Sequence, residues 1–190
     1  MTQSIIALVG ISGVGKSTLL RAAAETVRFQ HLQASALIKA AKEKQTTEAV
    51  VTDELRTADI TDNQALLVKG FNQARAPDSH LIILDGHTVI DTPNGLTTIE
   101  PSVFAALGVT EFIFIADDPE AIHTRRVNDS SRNRPNRSAR ELALHQEHAL
   151  LAACNAALSL AVPLHLYTPR KLDGLFGILA QAAKPQSSPN

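Results

Sequence analysis

Residues 10–18 could bind the phosphates of a nucleotide, because their glycines, lysine and hydroxyl side chains follow a known spacing. The segment is GISGVGKST, which matches the pattern G-x-x-x-x-G-K-[ST] after an apolar run. Glycines let such a loop wrap closely around an anion and present successive backbone N–H groups to it. Lys16 would reach the β- and γ-phosphates, and the Ser17 hydroxyl would hold Mg²⁺. The residues expected to bind the nucleotide are Gly10, Ser12, Gly13, Val14, Gly15, Lys16, Ser17 and Thr18.

An acid and a histidine, Asp85 and His87, follow the apolar run 81–84. If that run is a strand of a parallel sheet, Asp85 lies at its carboxyl edge, where open α/β folds bind ligands. An acid beside a phosphate-binding loop can hold Mg²⁺ directly or through water. The alternatives are a turn-capping aspartate and a surface histidine. We favour the metal role for Asp85, whereas His87 stays open between substrate contact and surface.

Arginine is concentrated in residues 125–140 of a chain whose net charge is only −1. The arginines there are Arg125, Arg126, Arg132, Arg134, Arg137 and Arg140. Repeated arginine in place of lysine favours bidentate contacts with phosphate oxygens, and phosphoryl transfer needs positive charge over the transferred group. A solvated basic loop is the alternative. We expect Arg125, Arg132 and Arg134 to be catalytic together with Lys16, whereas Arg137 and Arg140 could simply be solvated.

Apolar runs and helical patterns alternate along the chain, which predicts an α/β domain with a mainly parallel sheet. The predicted strands are 5–9, 29–33, 81–84, 111–116 and 163–167, of which the second is weak. The predicted helices are 16–27, 34–44, 61–74, 119–127, 138–160 and 172–182. Asp118 and Pro119 should begin the fourth helix, and Ser138 with Glu141 forms a capping-box pattern for the fifth.

Composition limits the class of protein further. The 190 residues suit one domain, which we predict over 1–183, followed by a disordered tail at 184–190. The near-zero net charge gives no reason to expect nucleic acid or an anionic membrane as a partner. The single cysteine, Cys154, excludes an internal disulfide and a Cys-based zinc cluster. Because neither a membrane-spanning run nor a leader pattern is visible, we expect a cytoplasmic protein.

Several classes of nucleotide-binding protein are disfavoured. The sequence has no Asn-Lys-x-Asp motif for guanine, and it is too short for the core and helical lid of an AAA+ motor. A compact domain with an arginine-rich lid and an inserted segment after the second strand is typical of small-molecule kinases.

These features together resemble the archaeal-type adenylate kinases of the nucleoside monophosphate kinase superfamily. Segment 85–96, DGHTVIDTPNGL, is similar to the family's Asp-x-His followed by Ile-x-Thr-Pro-x-Gly. Segment 125–134, RRVNDSSRNR, is similar to its Arg-Arg-Leu-Asn-Asp-x-x-Arg-Asn-Arg. The resemblance implies phosphoryl transfer from Mg-ATP to AMP on a three-layer P-loop NTPase fold. That fold has helices on both faces of a five-stranded parallel sheet in the order 2-3-1-4-5.

The resemblance also implies functional regions and an assembly. An acceptor-binding insertion would span about 34–76, a lid would span about 128–140, and the family is often trimeric, so a homo-oligomer of two or three copies is expected. The substrate-binding residues carried over by position are Arg56, Asp85, His87, Thr92 and Gly95, with Gln64 as a weaker candidate. An ordinary helix-surface arginine is the alternative for Arg56.

Two departures from the family pattern leave the acceptor open. Gly86 stands where the family usually has threonine, and the family's Gly-Tyr-Leu-Pro-Gly-Leu-Pro is GLTTIEP at residues 95–101. Besides an adenylate kinase acting on small nucleotides, the sequence therefore allows a kinase of another or modified nucleotide or small acceptor. It also allows a regulatory P-loop ATPase that acts on a protein or ribonucleoprotein partner.

Overall fold

The computed structural model describes residues 3–44, 60–92, 95–129, 135–170 and 172–185. The strands are β1 Ser4–Val9, β2 Gln30–Gln33, β3 Leu81–Asp85, β4 Val89–Thr92, β5 Gly95–Thr98, β6 Glu111–Ile115 and β7 Leu164–Tyr167. The helices are α1 Lys16–Ala23, α2 Ala34–Glu43, α3 Ile60–Ala74, α4 Pro101–Leu107, α5 Pro119–Asn128, α6 Ala139–Leu160 and α7 Asp173–Ala182.

Five of the strands form one parallel sheet in the order β2-β3-β1-β6-β7. With β4 and β5 left out of the count, this is the predicted order 2-3-1-4-5, and the α/β prediction is confirmed. β1 and β3 are buried along their whole length, as expected for strands covered on both faces by helices. Because β1 and β3 pair with Leu8 opposite Asp85, their carboxyl ends lie side by side at the centre of the sheet.

The antiparallel hairpin β4–β5 and the helix α4 were not predicted from the sequence. The hairpin pairs Val89 with Thr98 and Thr92 with Gly95. It runs between β3 and α4 and packs against α6. Its strands have only four residues each, which is too short for a clear alternation of apolar and polar side chains.

The predicted helix caps are present. The Asp118 carboxylate accepts a hydrogen bond from the Ala121 backbone N–H at 3.3 Å, and Ser138 with Glu141 forms a complete capping box. Helix α1 ends at Ala23 instead of Val27, because residues 24–26 form a turn in which the Thr26 hydroxyl donates to the Ala23 carbonyl. Within the described ranges, no helix combines the length and the apolar character needed to cross a bilayer.

Helices α2 and α3 approach each other closely at Gly70. A Cβ atom added to Gly70 would lie 2.8 Å from the backbone oxygen of Leu37 and 3.2 Å from its carbonyl carbon. Since real Cβ atoms do not come that close to backbone oxygen, glycine is required for this contact between the two helices.

Candidate active site

The segment between β1 and α1 has the backbone of a phosphate-binding loop. Gly13 has φ +89° and Gly15 has φ +105°, conformations that side chains with a Cβ rarely adopt. Gly15 is also the N-cap of α1, so the positive end of that helix points at the space enclosed by the loop. The hydroxyl oxygen of Ser12 is buried and has no hydrogen-bond partner among the described residues. A bound phosphate would supply the acceptor that this hydroxyl lacks.

Lys16, Asp85 and His87 come together at the loop, as their positions in the sequence suggest. Lys16 is 8% exposed, and its Nζ donates to the carbonyl oxygen of Gly10 at 2.8 Å. The same Nζ lies 3.9 Å from Asp85 Oδ1. His87 Nδ1 lies 2.8 Å from the same Gly10 carbonyl oxygen. The lysine, the acid and the histidine therefore share one small region at the carboxyl end of the sheet.

Asp85 is buried and yet favours its ionised form. Burial alone raises the pKa of this carboxyl, but the hydrogen bond from His31 and the charges of Lys16 and His87 outweigh it and lower the pKa below the ordinary value of 3.8. His31 Nε2 lies 3.7 Å from Asp85 Oδ2. His31 was not singled out in the sequence, because the only signal was its place in a weakly predicted strand.

The residues present fit Mg²⁺ when a nucleotide phosphate is bound. Ser17 and the ionised Asp85 line the same cavity and offer the oxygen ligands that Mg²⁺ prefers. In the part of the chain that the structure describes, no group of three acidic, histidine or cysteine side chains could hold a metal without help. Mg²⁺ at nucleotide sites is usually bound through one or two carboxylates together with phosphates and water.

A cavity of about 780 Å³ extends from the phosphate-binding loop to helices α2 and α3. The loop, Asp85, His87 and Arg125 line what we call its donor end. The opposite end, which we call the acceptor end, is lined by Gln33, Ser35, Ile38, Lys39, Asn63, Gln64, Leu67, Ile90, Ile99 and Phe104. One continuous cavity therefore joins a site for phosphates to a second compartment with an apolar wall and several amide groups.

Arg125 lies at the donor end, held by an acid. It lines the cavity close to Gly15 and forms an ion pair with Asp117, which is largely buried just after β6. The Gln146 side chain fixes Asp117 by accepting from its backbone N–H and donating to its carbonyl, both at 3.0 Å. Of the other predicted site arginines, Arg56, Arg132 and Arg134 lie outside the described residues.

Thr92 and Gly95 lie at the closed end of the β4–β5 hairpin. The Thr92 hydroxyl donates to the Gly95 carbonyl at 2.8 Å, and neither residue lines the cavity. The hairpin region contributes Ile90 and Ile99 to the cavity wall instead. A substrate contact for Thr92 and Gly95 stays a prediction.

A buried ionic cluster lies behind the donor end and was missed in the sequence. Asp91 is 7% exposed and pairs with Arg126 and Arg137. The idea that Arg137 is merely solvated is therefore corrected, whereas Arg140 is exposed as expected. The hydrogen bond and the charge of Asp91 raise the pKa of Arg137.

Comparisons with known proteins agree with this geometry. The sequence model of a family described as "AAA domain" matches residues 9–143. The adenylate kinase of Methanothermobacter thermautotrophicus is 29% identical over 156 residues, which cover 80% of this chain and 82% of that protein. The adenylate kinase of Thermoplasma acidophilum is 30% identical over 148 residues, covering 74% and 75%, respectively.

Two solved structures share the fold. Shikimate kinase from Bacteroides thetaiotaomicron superposes with a TM-score of 0.54 at 16% identity, over 95% of this chain and 96% of that one. A gluconokinase from Sinorhizobium meliloti superposes with a TM-score of 0.50 at 13% identity, over 95% and 91%. The family match spans more than half of the chain, and the relatives in sequence are adenylate kinases. The chain is therefore a phosphotransferase that belongs to the archaeal-type adenylate kinase family of P-loop kinases.

Proposed function

We propose that the protein is an adenylate kinase, which transfers the γ-phosphoryl group of ATP to AMP and forms two molecules of ADP. The observation that carries the proposal is the single cavity with a phosphate-binding loop, Lys16 and Asp85 at one end and a second compartment at the other. Such a cavity suits two nucleotides that meet at their phosphates. The names of the sequence relatives support ATP and AMP as these nucleotides.

At the donor end, the chain's own groups bind and orient the triphosphate. The loop backbone and the Ser12 hydroxyl would bind phosphate oxygens, and Lys16 would exchange the Gly10 carbonyl for the β- and γ-phosphates. Ser17 and Asp85 would hold Mg²⁺, which would neutralise part of the phosphate charge. Arg125, at the same end, would stabilise the negative charge that spreads over the transferred group.

The reaction requires little covalent work from the protein. Phosphoryl transfer depends on aligning the attacking and leaving oxygens, on compensating charge and on excluding water. His87 contacts the loop carbonyl of Gly10 and would support the loop there, while a contact between His87 and the substrate stays a prediction. Neither a protein nucleophile nor a general base needs to be assigned.

The acceptor end offers contacts for a nucleobase and its phosphate. Phe104 and Ile99 would contact the faces of a base, and the amides of Asn63 and Gln64 could bond to the edge of adenine. Lys39 brings positive charge to this end, while contacts from Arg56 stay a prediction. The acceptor insertion, the lid, a cytoplasmic location and an assembly of two or three copies also stay predictions.

A different nucleoside monophosphate is the main alternative to AMP as the acceptor. Ile99 belongs to the altered segment 95–101 and forms part of the acceptor wall, so a change in this segment changes the surface that meets the acceptor. A different or modified nucleoside monophosphate would keep the same donor chemistry. Because of this observation, the activity should be assayed with several nucleoside monophosphates and not with AMP alone.

The test is a coupled assay of ADP formation with Mg-ATP and AMP, GMP, CMP, UMP or dAMP, with Lys16→Ala as the inactive control. ADP formation that depends strictly on AMP would support adenylate kinase. Strict dependence on another monophosphate would keep the kinase and replace the acceptor. Hydrolysis of ATP without any acceptor, stimulated by a protein or ribonucleoprotein partner, would refute both kinase assignments.

A further inference from the structure

We propose that Asp91 is a positioning residue for phosphoryl transfer. Its carboxylate holds Arg126 and Arg137, and thereby fixes helix α5 and Arg125 against the donor end of the cavity. The proposal rests on the proposed adenylate kinase function, because kcat is one of its readouts. Asp91 itself does not line the cavity, so it acts through the arginines.

The carboxylate of Asp91 is buried between two guanidinium groups. Arg137 Nη2 donates to Oδ1 at 2.9 Å, and Arg137 Nε lies 3.5 Å from Oδ2. Arg126 Nη2 lies 3.8 Å from Oδ2. The side chains of Asp91 and Arg126 are each 7% exposed, so solvent screens their attraction little. Removing one member of such a buried group leaves an uncompensated charge and disturbs the others.

Arg126 and Arg137 belong to different segments of the chain, so their contacts with Asp91 join these segments. Arg126 lies in the last turn of α5, and Arg137 directly precedes the N-cap of α6. Two further bonds join the same segments. Arg126 Nη2 donates to the Pro135 carbonyl at 3.1 Å, and His123 Nδ1 lies 2.9 Å from the Arg137 carbonyl oxygen.

The same contacts reach the phosphate-binding loop. A Cβ atom at Gly13 would lie 2.9 Å from Arg126 Cγ, so the aliphatic part of Arg126 packs directly on the loop. Arg125, the preceding residue, lines the cavity. Ile90, which precedes Asp91 in β4, lines the cavity as well. Asp91 therefore connects the strand at the cavity wall with the helix that places Arg125 at the donor end of the cavity.

The substitution Asp91→Asn would keep the size of the side chain and remove its charge. The two guanidinium groups would then lose their shared carboxylate, and α5 would lose one of the contacts that hold its position. Since a misplacement of about 1 Å can reduce turnover about 100-fold, we expect kcat to fall roughly 10- to 100-fold. We expect the KM of the acceptor to change by less than about 3-fold, because the acceptor end does not contain this cluster.

The experiment compares kcat, KM and melting temperature for the wild type, Asp91→Asn, Asp91→Glu and a control, Glu147→Gln. Glu147 is an exposed acid of α6, so the control removes one negative charge from the same region. Asp91→Glu should recover part of kcat because it restores the carboxylate. Hydrogen exchange of residues 119–129 with a non-hydrolysable ATP analogue should rise in Asp91→Asn and not in the control.

The outcomes separate a positioning role from a structural one. A lower melting temperature with unchanged kcat and unchanged exchange in α5 would overturn the proposal. If Asp91→Asn does not fold, Arg137→Gln is measured in its place. An unchanged kcat in Arg137→Gln would overturn the proposal as well. If the wild type forms no ADP with any monophosphate, the proposed function fails, and hydrogen exchange in α5 still decides whether Asp91 fixes that helix.

Discussion

The close approach of α2 and α3 at Gly70 provides a quantitative test of the structure. Replacing Gly70 by alanine adds one methyl group to the interior of α3. On an open helix, this change stabilises the folded state by about 0.5–1 kcal/mol, because glycine loses more conformational entropy on folding. At Gly70, however, the new Cβ would lie 2.8 Å from the Leu37 carbonyl oxygen. That oxygen belongs to the backbone, so the helices must move apart.

The magnitude follows from two opposing contributions. Forcing an extra carbon into a close-packed contact costs about 1–3 kcal/mol, which exceeds or cancels the gain in helix propensity. Gly70→Ala should therefore lower the free energy of unfolding by about 0–2.5 kcal/mol. Gly177 lies within α7 and has no neighbouring atom within 4 Å of an added Cβ. Gly177→Ala should therefore raise the free energy of unfolding by about 0.5–1 kcal/mol.

Urea denaturation of the two variants measures the difference directly, provided that the m-value is unchanged. A midpoint for Gly70→Ala as high as that of Gly177→Ala would refute the close approach of the two helices. The kinetic consequence is separate. Because α2 and α3 line the acceptor end, Gly70→Ala should raise the KM of the acceptor more than that of ATP.

Four other substitutions test the site and one buried histidine outside it. Lys16→Ala should abolish ADP formation in the coupled assay without loss of the folded circular dichroism spectrum. Arg125→Ala should lower kcat more than it raises the KM of ATP, because contacts to the transferred group strengthen in the transition state; an effect on KM alone would contradict this role. Asp85 has a lowered pKa, so its ionised form stabilises the folded state above pH 3.8, and this stability is lost as pH falls through the folded-state pKa. In urea denaturation measured at several pH values, Asp85→Asn should therefore weaken the loss of stability at acidic pH. Burial lowers the pKa of His145, so as pH falls this histidine is protonated in the unfolded chain before it is protonated in the folded one. The free energy of unfolding should therefore decrease below pH 6.5, and His145→Gln should remove this decrease.

The sheet and the phosphate-binding loop could be predicted because their signals are local. Apolar runs such as Leu81–Leu84 identify buried strands, and the spacing of glycines, lysine and serine identifies the loop. Pro101 and Gly108 also carried a local signal for α4, as a first-turn proline and a left-handed C-cap with φ 71°, but the helix is short.

The ionic cluster and His31 depend on contacts between distant parts of the chain. Asp91 and Arg137 are 46 residues apart, and nothing near Asp91 in the sequence distinguishes it from a surface acid. The pairing emerges only when the hairpin packs against α6. His31 likewise meets Asp85 only because β2 and β3 are neighbours in the sheet.

The carbonyl of Gly10 has two donors, and this affects the cost of binding a nucleotide. If the Lys16 ammonium turns from this carbonyl to a phosphate, the carbonyl loses one of its donors. A buried carbonyl without a donor costs about 1–3 kcal/mol, which would weaken binding by roughly 5- to 150-fold. His87 Nδ1 lies 2.8 Å from the same oxygen, so in the tautomer with hydrogen on Nδ1 it donates a hydrogen bond to that acceptor. The histidine would then keep the carbonyl hydrogen-bonded when the lysine turns to a phosphate, so part of the affinity for the donor would depend on a residue that need not touch it.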